Sequence, residues 1–205
     1  MRPPKGTPAE TPPEAPPESP LEPPLEPPTE PPAQSPHPSP PESPRPPRPA
    51  PTIRTARPDD HRAIVSVLDA WWGRPMTAMV PRLFLDHFHP TSLIAEDAED
   101  ADGLGGFLIG FMSPAYPDEA YIHFVGVRPD LRRGGLAREL YERFFELARA
   151  HGRVRVRAIT GPANTASIRY HTAMGFTVRG PVPDRDGPGQ DRMEFERSLD
   201  VGGAA

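Results

Sequence analysis

The distribution of apolar residues divides the chain into two parts. Residues 1–51 show no helical or strand period in their apolar positions, whereas apolar residues recur regularly from about residue 52 to 199. Such periodic positions form the apolar face that a helix or strand buries. We therefore expect a disordered tail over 1–51, one folded domain over 52–199 and a short disordered C-terminal end over 200–205.

Within the domain, the pattern predicts both strands and helices. Alternating or continuous apolar runs predict strands at 52–57, 92–96, 104–112, 120–127 and 154–159, from 175 onward, and at 193–198. Apolar residues at helical spacing predict helices from a start within 58–60 to about 72, from 75 or 81 to 88, at 136–150 and at 166–174. The order βααβββαβαββ, in which strands and helices alternate late in the chain, predicts a mixed α/β sheet with parallel neighbours.

The tail is dominated by proline and glutamate. Of the 34 prolines in the chain, 23 lie in the first 51 positions, and glutamates recur every four residues from Glu10 to Glu30. Proline lacks a donor N–H and fixes φ, so we expect an extended polyproline II spacer there in place of helix or sheet. Such a tail could dock onto a proline-recognising domain, solubilise the protein, or reflect a start codon placed too far upstream.

Composition and charge exclude several classes of site and partner. The absence of cysteine excludes disulfides, thiolate metal sites, iron–sulfur clusters and a cysteine nucleophile. No apolar run approaches the roughly 18–20 residues of a membrane span, and no apolar secretory region is present, so we expect a cytoplasmic protein. Positions 53–205 carry 19 basic and 21 acidic residues, and this near-neutral balance argues against nucleic acid as a partner.

The segment 127–140 (VRPDLRRGGLAREL) points most directly to chemistry. A buried strand is predicted to end at Val127, and a polar turn, Gly134-Gly135 and a helix follow. The first N–H groups of a helix have no intrahelical partner, so with the helix dipole they form a site for a phosphate or pyrophosphate. Arg132 and Arg133 would add positive charge. The segment lacks GxxxxGK[ST] and GxGxxG, which argues against the common nucleotide loops; the alternative is a helix that simply starts after a glycine turn.

Two motifs resemble the GNAT superfamily of N-acetyltransferases. Residues 132–137 (RRGGLA) fit that family's pyrophosphate-loop pattern R/Q-x-x-G-x-G/A, and the preceding VGVRP looks like the end of its fourth strand. Residues 164–176 (NTASIRYHTAMGF) resemble its second signature, an asparagine, then an aromatic position, then Gly-Phe. With the matching order of elements, the resemblance covers about residues 53–198. It implies a GNAT-like mixed central sheet of about seven strands flanked by helices.

The resemblance implies an acetyl-coenzyme A-dependent N-acetyltransferase that needs no metal. In the family the fourth and fifth strands splay apart, and a bulge, which we place at Gly126, exposes backbone groups to the pantetheine arm. The coenzyme contacts implied by the resemblance are Val125, Gly126, Val127, Arg132, Arg133, Gly134, Gly135, Leu136, Ala137, Arg138, Asn164 and His171. His87 and His89 lie two residues apart without a third ligand nearby, so they do not indicate a metal site.

A candidate proton donor follows from the second motif. The family often places a proton-donating tyrosine seven residues after the asparagine; here that position is His171, and Tyr170 lies one residue earlier. Neighbouring residues on a helix point about 100° apart, so both side chains cannot face the leaving thiolate. We predict His171 as the donor because it holds the family's position. The alternative is that His171 merely packs against or hydrogen-bonds the coenzyme.

Candidate bases lie on the predicted strand at 120–127. A period of two places Glu119, Tyr121, His123, Val125 and Val127 on one face. Glu119 could act through water, and His123 has a suitable ordinary pKa. The alternatives are an ordered water without a dedicated base, and a purely structural His123.

The acceptor site should lie between the first two helices and the last hairpin. The aromatic residues expected to bind an amine are Trp71, Trp72, Phe84 and Tyr121, although the same stripe could simply pack the helices. The acidic loop 96–103 (EDAEDADG) could attract a cationic acceptor or form a solvated turn. A small-molecule amine is the expected acceptor; a protein or peptide substrate, or a non-catalytic acetyl-coenzyme A sensor, are the alternatives. Homodimers are common in the family.

Overall fold

A computed structural model of the chain describes residues 49–97 and 103–199. The strands are β1 (Thr52–Thr55), β2 (Leu93–Glu96), β3 (Leu104–Met112), β4 (Glu119–Val127), β5 (Arg155–Thr160), β6 (Thr177–Val182) and β7 (Arg192–Ser198). The helices are α1 (Asp60–Trp72), α2 (Leu83–Phe88), α3 (Leu136–Ala150) and α4 (Thr165–Ala173). The predicted order of elements is therefore confirmed. The predicted tail up to residue 48, the middle of the acidic loop and the predicted C-terminal end lie outside the described residues.

The strands form one sheet of seven in the order β1-β2-β3-β4-β5-β7-β6. β4 and β5 pair in parallel, and the other neighbouring strands of the described chain pair antiparallel. A parallel pair needs a crossover connection, which α3 provides. The predicted mixed sheet is confirmed. Because β7 lies between β5 and β6, the hairpin that joins β6 to β7 lies beside the end of β5.

The helices cover both faces of the sheet, because each presents an apolar side. α3 buries Leu140, Phe144 and Ala148 at helical spacing, in one cluster with residues of α4. α1 buries Ile64 and Leu68 in a second cluster, which also holds residues of α2. Two apolar layers therefore enclose the central strands. None of the described helices is both long enough and apolar enough to cross a membrane.

The second helix is shorter than the longer of the two predicted alternatives. A 3₁₀ turn at Thr77–Met79 precedes Pro81, and α2 begins only at Leu83. A further 3₁₀ turn, His89–Thr91, follows α2 and contains Pro90. Proline lacks the N–H that a helix interior requires, so Pro81 and Pro90 confine α2 to the segment between them.

β4 contains a bulge at His123. The register with β3 pairs Phe124 with Ile109 but Ile122 with Gly110, which leaves His123 as the extra residue on β4. An extra residue shifts the two-residue period of a strand by one position. Residues on either side of the bulge therefore follow opposite alternations.

The bulge overturns the predicted common face of β4. Ile122 packs in the cluster with α3 before the bulge, and Val125 and Val127 pack against that same cluster after it. Phe124 instead joins the cluster with α1 and α2. The prediction that Glu119, Tyr121, His123, Val125 and Val127 share one face is thus wrong, because two valines lie on the α3 side.

The predicted bulge position at Gly126 is also wrong. Gly126 pairs in register with Phe107 of β3, three residues beyond the actual bulge. A Cβ at Gly126 would lie 2.6 Å from the Phe107 ring and 2.8 Å from the Trp72 ring. Glycine is needed there because two aromatic rings pack directly against the strand.

β4 and β5 pair over a short distance and then separate. Their register runs from Glu119 with Arg155 to Tyr121 with Arg157. β4 continues to Val127, whereas β5 continues along β7 to Thr160. The two strands therefore open a cleft toward their C-terminal ends.

Candidate active site

One end of the cleft is formed by the segment that follows β4 together with the first turn of α3, residues 128–138, here called the anion loop. It contains a 3₁₀ turn at Pro129–Leu131, and then Arg133 and Gly135 at φ of 69° and 90°. The first bond into α3 is donated by the Glu139 N–H to the Gly135 carbonyl over 3.1 Å. The N–H groups of residues 136–138 precede that bond, so they have no intrahelical acceptor. Together with the dipole of α3, they can hold an anion.

The arginines of the anion loop differ in their contacts. Arg132 donates from Nε to the Val127 carbonyl over 3.1 Å and from a terminal nitrogen to the Trp71 carbonyl over 2.8 Å. Its guanidinium therefore ties the loop to the end of β4 and the last turn of α1. Arg133 is exposed, and Arg138 is exposed with an i,i+4 contact of 3.9 Å to Glu142. Arg133 and Arg138 remain the arginines with charge available to a ligand.

The strand residues predicted to contact the coenzyme lie beside the cleft. Val125, Gly126 and Val127 follow the last β4 position that pairs with β5. The side chains of Val125 and Val127 pack against the α3 cluster. Any contact from these positions to a ligand in the cleft would thus be made by the backbone.

Asn164 is the N-cap of α4. Its side-chain oxygen accepts from the Ser167 N–H over 3.2 Å, and its Nδ2 donates to Thr160 Oγ1 over 3.1 Å. A capping asparagine satisfies an N–H that the helix leaves free. This local role explains why asparagine stands there, and its predicted contact with the coenzyme remains a prediction.

His171 lies in the apolar core. Its ring stacks on Phe195 at a centroid distance of 4.0 Å, and only 6% of the residue is exposed. Nδ1 lies 2.9 Å from the Ser167 carbonyl, which can only accept, so Nδ1 carries the proton. Nε2, 3.1 Å from the Tyr141 hydroxyl, then accepts from it. Burial lowers the pKa of His171 and keeps the ring neutral.

Tyr170 differs from His171 in the hydrogen bonding of its polar group. Its hydroxyl oxygen is buried, yet it has no hydrogen-bond partner among the described residues. Burial raises the pKa of Tyr170 to about 12, with smaller opposed effects of Arg138 and Glu142 near the start of α3. A buried hydroxyl is normally bonded, so an orphaned one beside the anion loop suggests a partner that binds from outside the chain.

His123 lies at the bulge, between β4 and α2. Its ring stacks on Phe84 at 3.9 Å, and its Nε2 donates to the Met79 carbonyl over 2.8 Å. Nδ1 is then the unprotonated nitrogen. Burial lowers the pKa of His123, so the ring is neutral at pH 7 and has a lone pair with which to accept a proton.

The other end of the cleft is a cavity of about 240 Å³, here called the charged cavity. Its charged lining consists of Glu119, Arg157, Arg185 and Glu194. Its aromatic lining consists of Phe111, Tyr116 and Tyr121. Tyr121 and Arg157 are the last parallel pair before β4 and β5 separate, so the cavity adjoins the point where the cleft opens.

The structure brings some predicted acceptor residues to the cavity and leaves others elsewhere. Tyr121 lines it and stacks on Phe111 at 5.3 Å. Trp71, Trp72 and Phe84 instead pack against the α1–α2 cluster, Trp72 against Phe124 at 5.1 Å. These three are not among the lining residues of the charged cavity, in agreement with the packing alternative. Glu119, a predicted base, does line it.

Three charged residues of the cavity were missed in the sequence. Arg157 belongs to β5, and Arg185 and Glu194 belong to the last hairpin and β7. A signal existed at Arg157. Residues 153–157 read RVRVR, and arginine at every second position is unusual for a central strand. For Arg185 and Glu194, the last hairpin was expected near the acceptor, but no local pattern selects these two. Among the described residues, no cluster suited to a metal ion is found.

Comparison with known proteins was made at the levels of family, sequence and fold. The model of the acetyltransferase (GNAT) family matches residues 54–176. An L-2,4-diaminobutyric acid acetyltransferase of Nocardia farcinica is 30% identical over 93 residues, 45% of this chain and 46% of the relative. The chain therefore matches about half the length of that curated relative.

Solved structures share the fold. A diaminobutyrate acetyltransferase from Paenibacillus lautus, in complex with L-2,4-diaminobutyric acid and coenzyme A, superposes with a TM-score of 0.57 at 20% identity, covering 75% of this chain and 98% of that one. The NatC complex bound to Gag peptide and CoA superposes with a TM-score of 0.61 at 19% identity, covering 72% and 98%. At these identities the similarity concerns the arrangement of helices and strands.

Proposed function

This chain belongs to the acetyltransferase (GNAT) family, and we propose that it transfers an acetyl group from acetyl-coenzyme A to a primary amine of a small molecule. The observation that carries the proposal is the cleft between β4 and β5. The anion loop lies at one end of this cleft and the charged cavity adjoins its other end. An acetyl donor that carries phosphate groups matches the anion loop, and an acceptor with an ionisable amine matches the charged cavity.

The residues of the chain fit acetyl-coenzyme A. The free N–H groups of residues 136–138, with Arg133 and Arg138, suit the pyrophosphate. Backbone groups of residues 125–127 border the cleft where β4 no longer pairs with β5, and this position suits the pantetheine arm. The orphaned Tyr170 hydroxyl requires a partner and lies near Arg138, on the same side as the anion loop. Three independent features therefore support binding of this donor.

The amine must be deprotonated before it can react, since an alkyl ammonium has no lone pair. When bound, acetyl-coenzyme A would supply the acetyl group as a thioester, so that a C–N bond would form and the C–S bond would break. Of the three ammonium protons, one would stay on the amide nitrogen, one would replace the proton that a donor gives to the leaving thiolate, and one would be released to a base. Glu119 lies in the charged cavity and would take up that proton, directly or through water. His123 is the second candidate, because its Nδ1 is unprotonated.

We assign the proton donor to Tyr170 in preference to His171. In neutral His171, Nδ1–H donates to the Ser167 carbonyl and Nε2 accepts from the Tyr141 hydroxyl. Donation from His171 would require breaking a buried hydrogen bond. Tyr170 keeps its proton at neutral pH because burial raises its pKa to about 12, and its hydroxyl has no competing partner.

The size of the charged cavity favours a small acceptor over a peptide. Its volume of about 240 Å³ is below the range of about 300–1,000 Å³ that is usual for sites of drug-sized ligands. Four of its lining residues carry charge, which selects compact polar molecules. A peptide acetyltransferase would need a groove that continues beyond the amine.

The experiment that tests the proposal has two stages on the full-length protein. Calorimetric titration with acetyl-coenzyme A should show micromolar binding. Thiol release should then follow the addition of small primary amines and exceed release with short peptides. Binding without release for any amine would refute the proposed activity and favour a sensor. Faster release with peptides than with small amines would refute the proposed acceptor class.

A further inference from the structure

The charges of the charged cavity are arranged in two pairs of opposite sign. Arg157 lies 3.5 Å from Glu119, and Arg185 lies 3.0 Å from Glu194. The side chains of both glutamates are 13–15% exposed, whereas those of both arginines are 35–45% exposed. The carboxylates therefore lie deeper than the guanidinium groups. The four lining charges sum to zero.

The surrounding charges preserve this balance. Arg155 lies 4.0 Å from Glu119, and Glu196 lies 3.6 Å from Arg157. On the hairpin side, Asp186 lies 3.5 Å from Arg185, and Arg179 lies 4.0 Å from Glu194. Each lining charge thus has one further neighbour of opposite sign. No excess charge is left over that would favour a purely cationic or purely anionic ligand.

A ligand with a single charge would disturb these pairs. An ammonium group that binds Glu119 competes with Arg157 for the carboxylate and leaves the guanidinium without its anion. An ion in a partly buried site that loses its counter-ion carries a desolvation cost with no compensation. A ligand that brings its own carboxylate restores an anion to the displaced arginine. Arginine is well suited to this role, because its planar fork binds carboxylates through two parallel hydrogen bonds.

We infer that the acceptor is a small zwitterion of the amino-acid type, an amine that carries a carboxylate, with its ammonium on the deep glutamates and its carboxylate on Arg157 and Arg185. This inference rests on the proposed function and specifies its substrate class. The glutamates lie deeper than the arginines, and this difference supports the orientation. The amine would bind near Glu119 and Tyr121, where β4 and β5 separate, and the carboxylate would bind toward the more exposed arginines. Neither arginine touches the reacting atoms, so their role is to position the acceptor.

The first test compares each acid with its own carboxamide. L-2,4-Diaminobutyric acid and β-alanine, each against the matching amide, differ in one charge and keep the same amine and nearly the same size. We expect the acids to be acetylated with a kcat/KM at least about tenfold higher, because charge-assisted bonds are about twice as strong as neutral ones. Calorimetry with the same four compounds measures binding without turnover and should show the same preference.

The second test uses the arginines themselves. Arg157→Gln and Arg185→Gln should each raise KM for the acids about tenfold and leave kcat within a factor of about three. KM for the amides should be unchanged or lower, because an arginine that competes with the ammonium for a glutamate is removed. Arg143→Gln, on the outer side of α3 and paired with Glu146, is the matched control and should change none of these values. The affinity for acetyl-coenzyme A should be the same in all variants, which verifies that the fold is intact.

The outcomes separate the inference from the proposed function. Equal kcat/KM for acids and amides, or equal loss on both in the arginine variants, would overturn the zwitterion and leave the acetyltransferase proposal in place. Coenzyme binding without acetylation of any amine would refute the proposed function. In that case, acid-selective binding by calorimetry would still support the site, and equal binding of acids and amides would overturn it.

Discussion

The two ends of the cleft are built from different parts of the chain. The anion loop is a continuous segment of 128–138, and the groups proposed to bind the donor there are backbone N–H groups fixed by the start of α3. The charged cavity takes its four charges from β4, β5, β7 and the β6–β7 hairpin, and the groups proposed to bind the acceptor there are side chains. A backbone site tolerates most substitutions that keep the loop conformation, whereas a side-chain site depends on the identity of each residue.

This difference determines which property each substitution should change. A change in the anion loop should act on the affinity for the donor and affect all acceptors equally. A change in the charged cavity should alter the choice of acceptor and leave donor affinity intact. β4 takes part in both ends, so changes within it test whether the two ends are independent.

The largest effect is expected from a negative charge in the anion loop. Gly135→Asp places a carboxylate at the N-cap of α3, where the pyrophosphate is proposed to bind. Two like charges about 4 Å apart repel by ~4 kcal/mol at an effective dielectric constant of 20, so acetyl-coenzyme A affinity should fall at least about a hundredfold. Calorimetric titration measures the change.

Gly135→Asn is the matched control, because it has the same shape without the charge. Gly135 has φ of 90°, a region that asparagine tolerates better than most residues, so some strain is common to both variants. The Asn variant should lose about tenfold or less. Equal affinities of the Asp and Asn variants would contradict an anion site at this loop.

The second largest effect concerns the proton donor. Tyr170→Phe removes the hydroxyl that has no partner within the described chain, so the free energy of unfolding should be unchanged or slightly higher. We expect kcat to fall about tenfold to a hundredfold, at the low end for a general acid, because a thiolate of pKa near 8.5 leaves readily. Steady-state kinetics and thermal unfolding measure the two quantities. An unchanged kcat here, together with loss of kcat in His171→Gln, would return the assignment to His171.

The same contrast between the two ends explains what could be predicted from sequence. Arg132, Arg133, Gly134 and Gly135 lie together between a predicted strand and a predicted helix, so the local sequence indicated a loop at a helix start, and the resemblance to the GNAT pattern indicated its ligand. The order of elements was likewise predictable, because apolar periods are local. Free backbone N–H groups occur at the start of every helix, so predicting those of the proposed anion site requires no knowledge of distant residues.

The charged cavity and the faces of β4 depend on tertiary contacts. Arg185 lines the same cavity as Arg157 because β7 inserts between β5 and β6, a pairing that no local pattern encodes. The bulge at His123 depends on the register with β3, so a strict period of two assigned Val125 and Val127 to the wrong side. His171 occupies the tyrosine position of the second motif, yet its stacking on Phe195 and its bond to Tyr141 are apparent only in the folded chain.

A third effect tests the close packing of β4, the strand that takes part in both ends. Gly126→Ala would place a methyl group 2.6 Å from Phe107 and 2.8 Å from Trp72, both of which pack in the α1–α2 cluster. Overpacking of this kind costs about 1–3 kcal/mol. We expect a corresponding loss in the free energy of unfolding, measured by urea titration. Gly161→Ala, with open space around its Cβ, is the control and should change stability little. A fully stable Gly126→Ala variant would contradict the close packing described for β4.

The smallest effect is a pH dependence of stability that arises in the apolar core, at His171. Burial lowers the pKa of His171 in the folded state below its ordinary value of 6.5. In the unfolded chain the ring has its ordinary pKa. Below about pH 6.5 the unfolded state therefore binds a proton more readily than the folded state does. The free energy of unfolding should therefore be constant above this pH and fall below it, by at most ~1.4 kcal/mol per pH unit for this one group.

His171→Gln isolates the contribution of this ring. Glutamine can accept from the Tyr141 hydroxyl and donate to the Ser167 carbonyl, so it can replace both hydrogen bonds without titrating. Burial also lowers the pKa of His123, which contributes in the same direction to both proteins and cancels in their difference. Urea titrations at about pH 7.5 and about pH 5.5 should show a steeper loss of stability for the natural chain than for the variant. Equal losses would mean that His171 takes up its proton as readily in the folded state as in the unfolded one, and would contradict the neutral buried ring described above.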